Sequence, residues 1–112
     1  MTLITLDDDQ KTISKRFRKA SYFLFIDGED VRLEQNVHKT SKSPEFFEYF
    51  TPLGIKKIYL RALGYKTFLK LEELGIEVYF VAEGIQMGEM GKEALTKITL
   101  GNAQELCTLG HH

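Results

Sequence analysis

A strand–helix–strand run in the second half of the chain constrains the fold more than any other feature. Residues 55–60 (IKKIYL) and residues 76–81 (IEVYFV) each predict a strand. Between them, residues 65–74 carry apolar side chains at helical spacing, and Gly75 follows as is typical of a helix C-terminus. Because both joints are short, the run predicts a βαβ unit with parallel strands and a right-handed crossover.

Three further strands are predicted in the first half of the chain. Residues 2–6 are β-branched and leucine-rich, residues 21–27 (SYFLFID) are rich in aromatic side chains, and residues 31–37 (VRLEQNV) alternate apolar and polar ones. A glycine-containing turn at residues 27–30 joins the second and third strands into a hairpin. The alternation predicts that the third strand faces water on one side, and its charges predict a sheet edge that resists further pairing.

Two more helices complete the predicted order β-β-β-α-β-α-β-α. Ser43, Pro44 and Glu45 are typical of a helix start, and three phenylalanines follow. Apolar side chains at helical spacing from Met87 to Ile98 predict a last amphipathic helix.

The predicted fold class is α/β, with three layers in the order α/β/α. The hairpin and the βαβ unit predict a mixed sheet with helices on both faces. Five strands in the spatial order 3-2-1-4-5, with strand two antiparallel to the rest, are what the family resemblance described below implies. Residues 1–106 form a single predicted domain. Residues 107–112 (CTLGHH) form a predicted flexible tail that bears cysteine and histidine.

Composition excludes several classes of protein. The chain has 15 basic and 16 acidic residues and a net charge of −1, which disfavours a general nucleic-acid binder. A basic run at residues 11–19 is interpreted as a solvated loop. One cysteine cannot form an internal disulfide, and neither a signal peptide nor a membrane-spanning run is seen, so we expect a cytoplasmic protein without membrane contact.

Two stretches resemble a known family. SKRFRKASYFLFID has Ser14, Phe17, Ala20 and Phe23 at the spacing found in the dinitrogenase iron–molybdenum cofactor biosynthesis family. The second stretch, residues 55–84, is similar to another signature of that family, and its matching residues are Gly64, Phe68, Leu71, Gly75, Ile76 and Val78. The family also commonly ends in a short tail with cysteine and histidine. This chain departs from the family where residues 61–64 replace a glycine-isoleucine-glycine turn and where the segment around His38 lacks glycines.

The resemblance implies a ribonuclease H-like fold and a role with iron–sulfur precursors of the nitrogenase cofactor. A cubane cluster built on the protein takes about four thiolates, whereas a preformed cluster needs fewer protein ligands. Cys107, His111, His112 and His38 are the candidate metal ligands, with Cys107 as thiolate and an imidazole completing the attachment. The alternative is a mobile tail with a free thiol and solvated or tag-derived histidines.

Arg61, Ala62, Leu63 and Gly64 form the candidate cofactor-binding turn. They connect the carboxyl end of a strand to the amino terminus of a helix, where free backbone N–H groups favour anions. A plain tight turn is the alternative, and a positive φ is expected at Gly64. Asp7, Asp8 and Asp9 follow the first strand, and clustered carboxylates can bind a hard cation.

No common catalytic motif occurs, and the acids that a ribonuclease H-like nuclease needs on its strands are missing, so we expect a protein that is not an enzyme. The leading hypothesis is a non-catalytic carrier of an iron–sulfur or iron–molybdenum-type cluster. Its expected partners are cluster donor and acceptor proteins. The alternative is a metal-free binding module for a protein partner or a small anion. In either case we expect a monomer or weak homodimer.

Overall fold

The computed structural model describes residues 1–40, 42–82, 86 and 95–107. The strands are β1 (Thr2–Leu6), β2 (Tyr22–Asp27), β3 (Asp30–Gln35), β4 (Lys57–Leu60), β5 (Glu77–Val81) and β6 (Leu95–Ile98). The helices are α1 (Ser43–Phe50), which continues into a 3₁₀ turn at Thr51–Leu53, α2 (Tyr65–Glu73) and α3 (Ala103–Leu106). None of the helices in these ranges is long and apolar enough to cross a membrane.

The strands form one mixed sheet in the order β3-β2-β1-β4-β5-β6. β1, β4 and β5 are parallel, and β2 is antiparallel to both of its neighbours, so the predicted order of the first five strands is confirmed. The predicted strand number is wrong, because β6 adds an antiparallel sixth strand beside β5. The ribonuclease H-like motif stays a prediction.

The sixth strand replaces the end of the predicted last helix. Ile98 lies in β6 rather than in a helix, while residues 87–94 lie outside the described residues. Leu95 and Ile98 are spaced by three, which fits a helix face but also places them on opposite faces of a strand. Thr96 and Ile98 are β-branched and favour a strand, and Lys97 forms an ion pair with Glu77 of β5 at 3.0 Å.

The helices cover one face of the sheet. The main core lies on that face and contains side chains of α1, α2 and α3 packed on strand residues such as Phe23 and Ile58. A smaller cluster on the other face consists of Ile4, Leu6, Ile13, Leu24 and Val81, none of them helical. The second helical layer that the sequence predicted is therefore not found in the part of the chain described.

The basic loop is attached to the core by a phenylalanine. Phe17 is only 4% exposed, and its ring lies 5.1 Å from that of Phe46 and 5.2 Å from that of Phe50, both in edge-to-face geometry. Ser14 and Ala20 beside it are also buried. The interpretation of this run as a solvated loop thus holds only for its charged side chains, and the first family signature consists of residues that hold the loop in place.

The third strand exposes its apolar side. Val31 is 62% exposed and Leu33 is 43% exposed, whereas Arg32 and Glu34 point toward the face that carries the helices. Asn36, which the alternation placed on the water-facing side, is 4% exposed. Edge position explains this arrangement, since no described helix lies over that part of the second face.

We predict that Gly75 and Gly64 respond differently to the same substitution. Gly75 has φ +74°, whereas Gly64 has φ −69° and ψ 146°, so the positive φ expected at Gly64 is wrong. Gly75→Ser should lower the free energy of unfolding by about 1–2 kcal/mol because a side chain resists the left-handed region. Gly64→Ser should stay within about 0.5 kcal/mol of wild type, because serine is favoured at an N-cap and a Cβ at this position has only Thr67 Oγ1 nearby, at 4.0 Å. Urea unfolding measures both, and equal losses would contradict the assignment.

Candidate functional site

The carboxyl ends of the parallel strands meet at one edge of the sheet, called here the carboxyl edge. β1, β4 and β5 end there at Leu6, Leu60 and Val81. Asp7, Asp8 and Asp9 follow β1, and residues 61–64 follow β4. This is the edge at which open α/β sheets bind ligands.

Residues 12–14 fill the space between the ends of β1 and β4. The Asp7 N–H donates to the Thr12 carbonyl and the Ser14 N–H donates to the Thr5 carbonyl, each at 2.9 Å. On the other side, the Arg61 N–H donates to the Ser14 carbonyl at 2.8 Å. The point where the strand order reverses is therefore closed by backbone, and a ligand at this edge has to lie outside it.

In the 61–64 turn, one side chain is buried and the other three residues are partly accessible to solvent. Leu63 is 5% exposed and belongs to the main core, so its side chain anchors the turn and is not a ligand. Arg61, Ala62 and Gly64 are half-buried. Of the four predicted binding residues, Arg61 supplies the charged side chain and Gly64 supplies the N-cap of α2.

The first turn of α2 has backbone donors that are not used within the helix. The first intrahelical bond runs from the Phe68 N–H to the Gly64 carbonyl, so the N–H groups of Tyr65, Lys66 and Thr67 have no acceptor within the helix. Among the residues that the structure describes, no side chain caps them, and the first turn carries no acidic residue. The positive end of the helix dipole lies beside Arg61 and Lys66, and this combination attracts anions.

His38 lies at the same edge of the sheet. β3 ends there because Gln35 pairs with Tyr22 and Tyr22 pairs with Leu6. The imidazole stacks on Tyr49 of α1 with ring centroids 4.0 Å apart. Neither ring nitrogen has a hydrogen-bond partner among the residues that the structure describes, so either one can be the unprotonated nitrogen that binds a metal.

Asn36 positions His38, a role that the sequence did not indicate. Its Nδ2 donates to the carbonyls of Arg18 and Ala20 at 2.8 and 2.9 Å, and its Oδ1 accepts from the His38 N–H at 2.9 Å. The buried amide thereby joins the basic loop to the segment after β3. An asparagine directly after an alternating strand was the available signal, but its burial is a tertiary property.

His38 and the 61–64 turn do not touch. β2 and β1 lie between β3 and β4, and three strand spacings amount to about 14 Å. A ligand on the turn therefore contacts α2 and Arg61 directly and reaches His38 only if it extends across the ends of β1 and β2.

Cys107 belongs to the core and not to a tail. It follows α3, is 5% exposed, and its N–H donates to the Ala103 carbonyl at 2.8 Å. β6 ends at the opposite edge of the sheet because Ile98 pairs with Val78, so α3 starts away from the carboxyl edge. Burial raises the pKa of the Cys107 thiol, which disfavours the thiolate that a metal needs. Cys107 itself therefore lies in the core, while residues 108–112, with His111 and His112, lie outside the described residues, so the rest of the predicted tail stays a prediction.

The aspartates after β1 act mainly in a turn. Asp9 Oδ1 accepts from the N–H groups of Lys11 and Thr12, and its Oδ2 accepts from the Thr12 hydroxyl. Asp8 accepts a hydrogen bond from the Ser21 hydroxyl. Within residues 1–40, 42–82, 86 and 95–107, no three histidine, cysteine or acidic side chains are grouped for a metal. The cation site expected at the aspartates finds no support there.

We predict that Cys107 reacts slowly with a thiol reagent in the native protein and rapidly in urea, because both burial and the raised pKa suppress the thiolate. A matched control moves the thiol one residue, in the double variant Cys107→Ala and Leu106→Cys, since Leu106 is 42% exposed. That control should react rapidly without urea. If the wild-type thiol reacts as fast as the control in the native protein, Cys107 is not buried and belongs to an exposed tail.

A second prediction concerns Asp9, whose pKa is lowered from 3.8 to about 2, first by the Thr12 hydroxyl and then by the N–H groups of Thr12 and Lys11. Because the folded pKa is the lower one, the stabilisation is present above 3.8 and is lost as pH falls through about 2. Thr12→Val removes the hydroxyl bond and should raise the pKa of the Asp9 carboxyl toward its ordinary value of 3.8. Carboxyl carbon titration by NMR measures this, and an unchanged midpoint would show that the hydroxyl bond is absent.

Comparison with known proteins agrees with the signatures described above. Two solved structures share the fold. The crystal structure of PH0822 has a TM-score of 0.58 and 22% identity, and the match covers 72% of this chain and 76% of that one. The NMR structure of TM1290 from Thermotoga, described as a provisional NifB protein of the DUF35 family, has a TM-score of 0.56 and 20% identity over 93% of this chain and 83% of that one. No curated protein matches the sequence significantly. Residues 1–99 match the family model for the dinitrogenase iron-molybdenum cofactor, and the chain therefore belongs to that family.

Proposed function

We propose that this protein binds and carries a preformed iron–sulfur or iron–molybdenum-type cluster without catalysing a reaction on it. The observation that carries the proposal is the uncapped amino terminus of α2 beside Arg61 and Lys66 at the carboxyl edge. Family membership supplies the class of cargo. A carrier also needs proteins that donate and accept the cluster, and these are its proposed partners.

The charge of the cargo suits the site. A reduced cluster is anionic, and backbone N–H groups at a helix amino terminus together with a guanidinium bind anions without a dedicated pocket. The Arg61 backbone is fixed by its bond to Ser14, so the side chain starts from a defined position. A site built from donors and cations holds a cluster reversibly, as a carrier requires.

The thiol is not needed for this binding mode. A preformed cluster brings its own sulfides, and an imidazole is a suitable additional ligand. Neither ring nitrogen of His38 is hydrogen-bonded within the described part of the chain, so one of them can act as a ligand, whereas Cys107 is buried in apolar surroundings. We therefore assign the cluster to the 61–64 turn and α2, with His38 as an outer ligand for a cargo long enough to reach it.

The test uses isolated iron–molybdenum cofactor and a synthetic thiolate-ligated iron–sulfur cluster as probes. Each is incubated anaerobically with the protein, followed by gel filtration, absorbance and iron analysis. Stoichiometric iron with wild type is expected for at least one probe. Iron lost on the column with both would contradict the proposal.

Variants locate the site. Arg61→Gln or Lys66→Gln should weaken retention by about tenfold, the loss of one charge-assisted contact. Lys56→Gln is the matched control, because Lys56 is exposed and precedes β4 at the opposite edge. Cys107→Ala should retain the cluster fully. Loss of the cluster in Cys107→Ala, with normal retention in Arg61→Gln, would move the site to the thiol.

A second candidate function is a metal-free binding module, favoured by a groove between α1 and α2. The groove has a volume of about 610 Å³. Its lining is Pro44, Phe47, Glu48, Thr51, Lys66, Thr67 and Lys70. Two lysines against one glutamate suit a small anion or an acidic peptide.

Lys70 distinguishes the two candidate functions, the cluster carrier and the metal-free binding module. Lys70 lines the groove and its ammonium lies 6.0 Å from the centre of the Phe47 ring, but it is a turn away from the start of α2. Titration with citrate, followed by amide NMR shifts, tests the groove. Shifts centred on Thr51 and Lys70 that vanish in Lys70→Gln support the module, whereas cluster retention unaffected by Lys70→Gln supports the carrier.

A further inference from the structure

The outer edge of β3 is an exposed strand edge with apolar side chains on one side. β3 is the terminal strand of the six-stranded sheet, and five of its six residues are exposed. Val31 and Leu33 lie on the face away from the helices, beside Ile26 and Leu24 of β2. An edge strand carries unpaired backbone donors and acceptors, so it is a template for another strand.

The charges on the other side of β3 alternate in a way that is self-complementary. Arg32 and Glu34 form an ion pair within the chain, with side chains 60% and 43% exposed. The Arg32 guanidinium also lies 4.9 Å from the centre of the Phe25 ring. The two opposite charges are spaced by two residues and share one face of the strand.

We propose that β3 is an interface for a second copy of this chain. The two β3 strands pair antiparallel about a two-fold axis at Leu33, which joins two sheets into one. Arg32 then lies opposite Glu34 of the partner subunit, and Glu34 lies opposite Arg32 of the partner subunit. This interface goes beyond cluster binding and does not depend on it.

Charge selects this register among those that a two-fold axis allows. Residues directly opposite each other in an antiparallel pair lie on the same face of the sheet, so one strand can slide along the other only in steps of two residues. Each step moves the two-fold axis by one residue along β3. One such shift places Arg32 opposite Arg32 of the partner subunit, and the other places Glu34 opposite Glu34 of the partner subunit. A further register has Val31 on the axis. It places Arg32 opposite Asp30 of the partner subunit, but it pairs only residues 30–32 of each strand. The register centred on Leu33 pairs residues 31–35 throughout.

The apolar side becomes continuous in the same register. Leu33 meets Leu33 of the partner subunit, and Leu24 lies behind it in β2 of each protomer. Burial of Leu33, now 43% exposed, supplies the apolar part of the interface. A two-strand contact is smaller than a standard interface of about 1,600 Å², so the dimer should be weak and dependent on concentration.

The first measurement is sedimentation of wild type over a range of concentrations up to those used for NMR. The weight-average mass should rise toward that of a dimer. Arg32→Glu alone and Glu34→Arg alone should each remain monomeric, because each puts like charges opposite each other at the interface. Wild type that stays monomeric at all concentrations would overturn the proposal.

A mixture of the two single variants tests whether the charges at positions 32 and 34 face each other across the interface. Arg32→Glu has two acidic side chains on the strand and Glu34→Arg has two basic ones, so neither chain retains its internal ion pair. Mixed, they place opposite charges at every interface pair and should form a heterodimer. Two variants that sediment as monomers when mixed would overturn the proposed interface.

The control for unspecific attraction adds Leu33→Asp to both variants. It opposes two carboxylates on the two-fold axis and should abolish the heterodimer. Leu100→Asp, added to both variants instead, changes the net charge equally at another exposed leucine, 61% exposed, and should leave the heterodimer intact. Association that survives Leu33→Asp would show that β3 is not the interface.

Discussion

The packing of Phe17 against α1 is the interaction on which the arrangement of the carboxyl edge depends. Its ring makes edge-to-face contacts with Phe46 and Phe50, and such pairs add to the free energy gained by burying the ring. With Phe17 fixed, residues 12–14 pair with the end of β1 and with Arg61. Asn36 then bonds the loop carbonyls and places His38 beside Tyr49. One buried ring thus orders both sides of the candidate site.

The candidate site is built from backbone and charge rather than from a set of metal ligands. The amino end of α2, Arg61 and Lys66 supply backbone donors and positive charges, and the turn that carries them is anchored by buried Leu63. Cys107, the residue with the strongest intrinsic affinity for iron, is used as a small apolar side chain. The chemistry of the residues at the edge therefore suits an anionic cargo that arrives already assembled.

The sheet is asymmetric in how its two faces are used. The described helices and the larger core lie on one face, and the other face has a small cluster at its centre and exposed apolar residues at β3. Charged residues on β3 were expected to discourage pairing with other strands. Against the same strand turned through a two-fold axis they are complementary, which is why an edge can repel other partners and still accept its own copy.

Much of the fold was determined by local sequence alone. The hairpin and the parallel β4–α2–β5 unit follow from side-chain periodicity and turn residues, which act over a few neighbours. The order of five strands also needed the family resemblance, because β1 pairs with β4, which is distant along the chain. The family also follows from local signatures, and the signature residues Ser14, Phe17 and Phe68 are buried in the structure. Only the tertiary structure decided which side chains are buried and which segment adds the last strand of the sheet. The exposed side of β3, the sixth strand, the buried thiol of Cys107 and the buried amide of Asn36 each depend on which distant element lies above a residue. Periodicity states that a strand has two faces, but only the packing of the whole chain determines which face is covered.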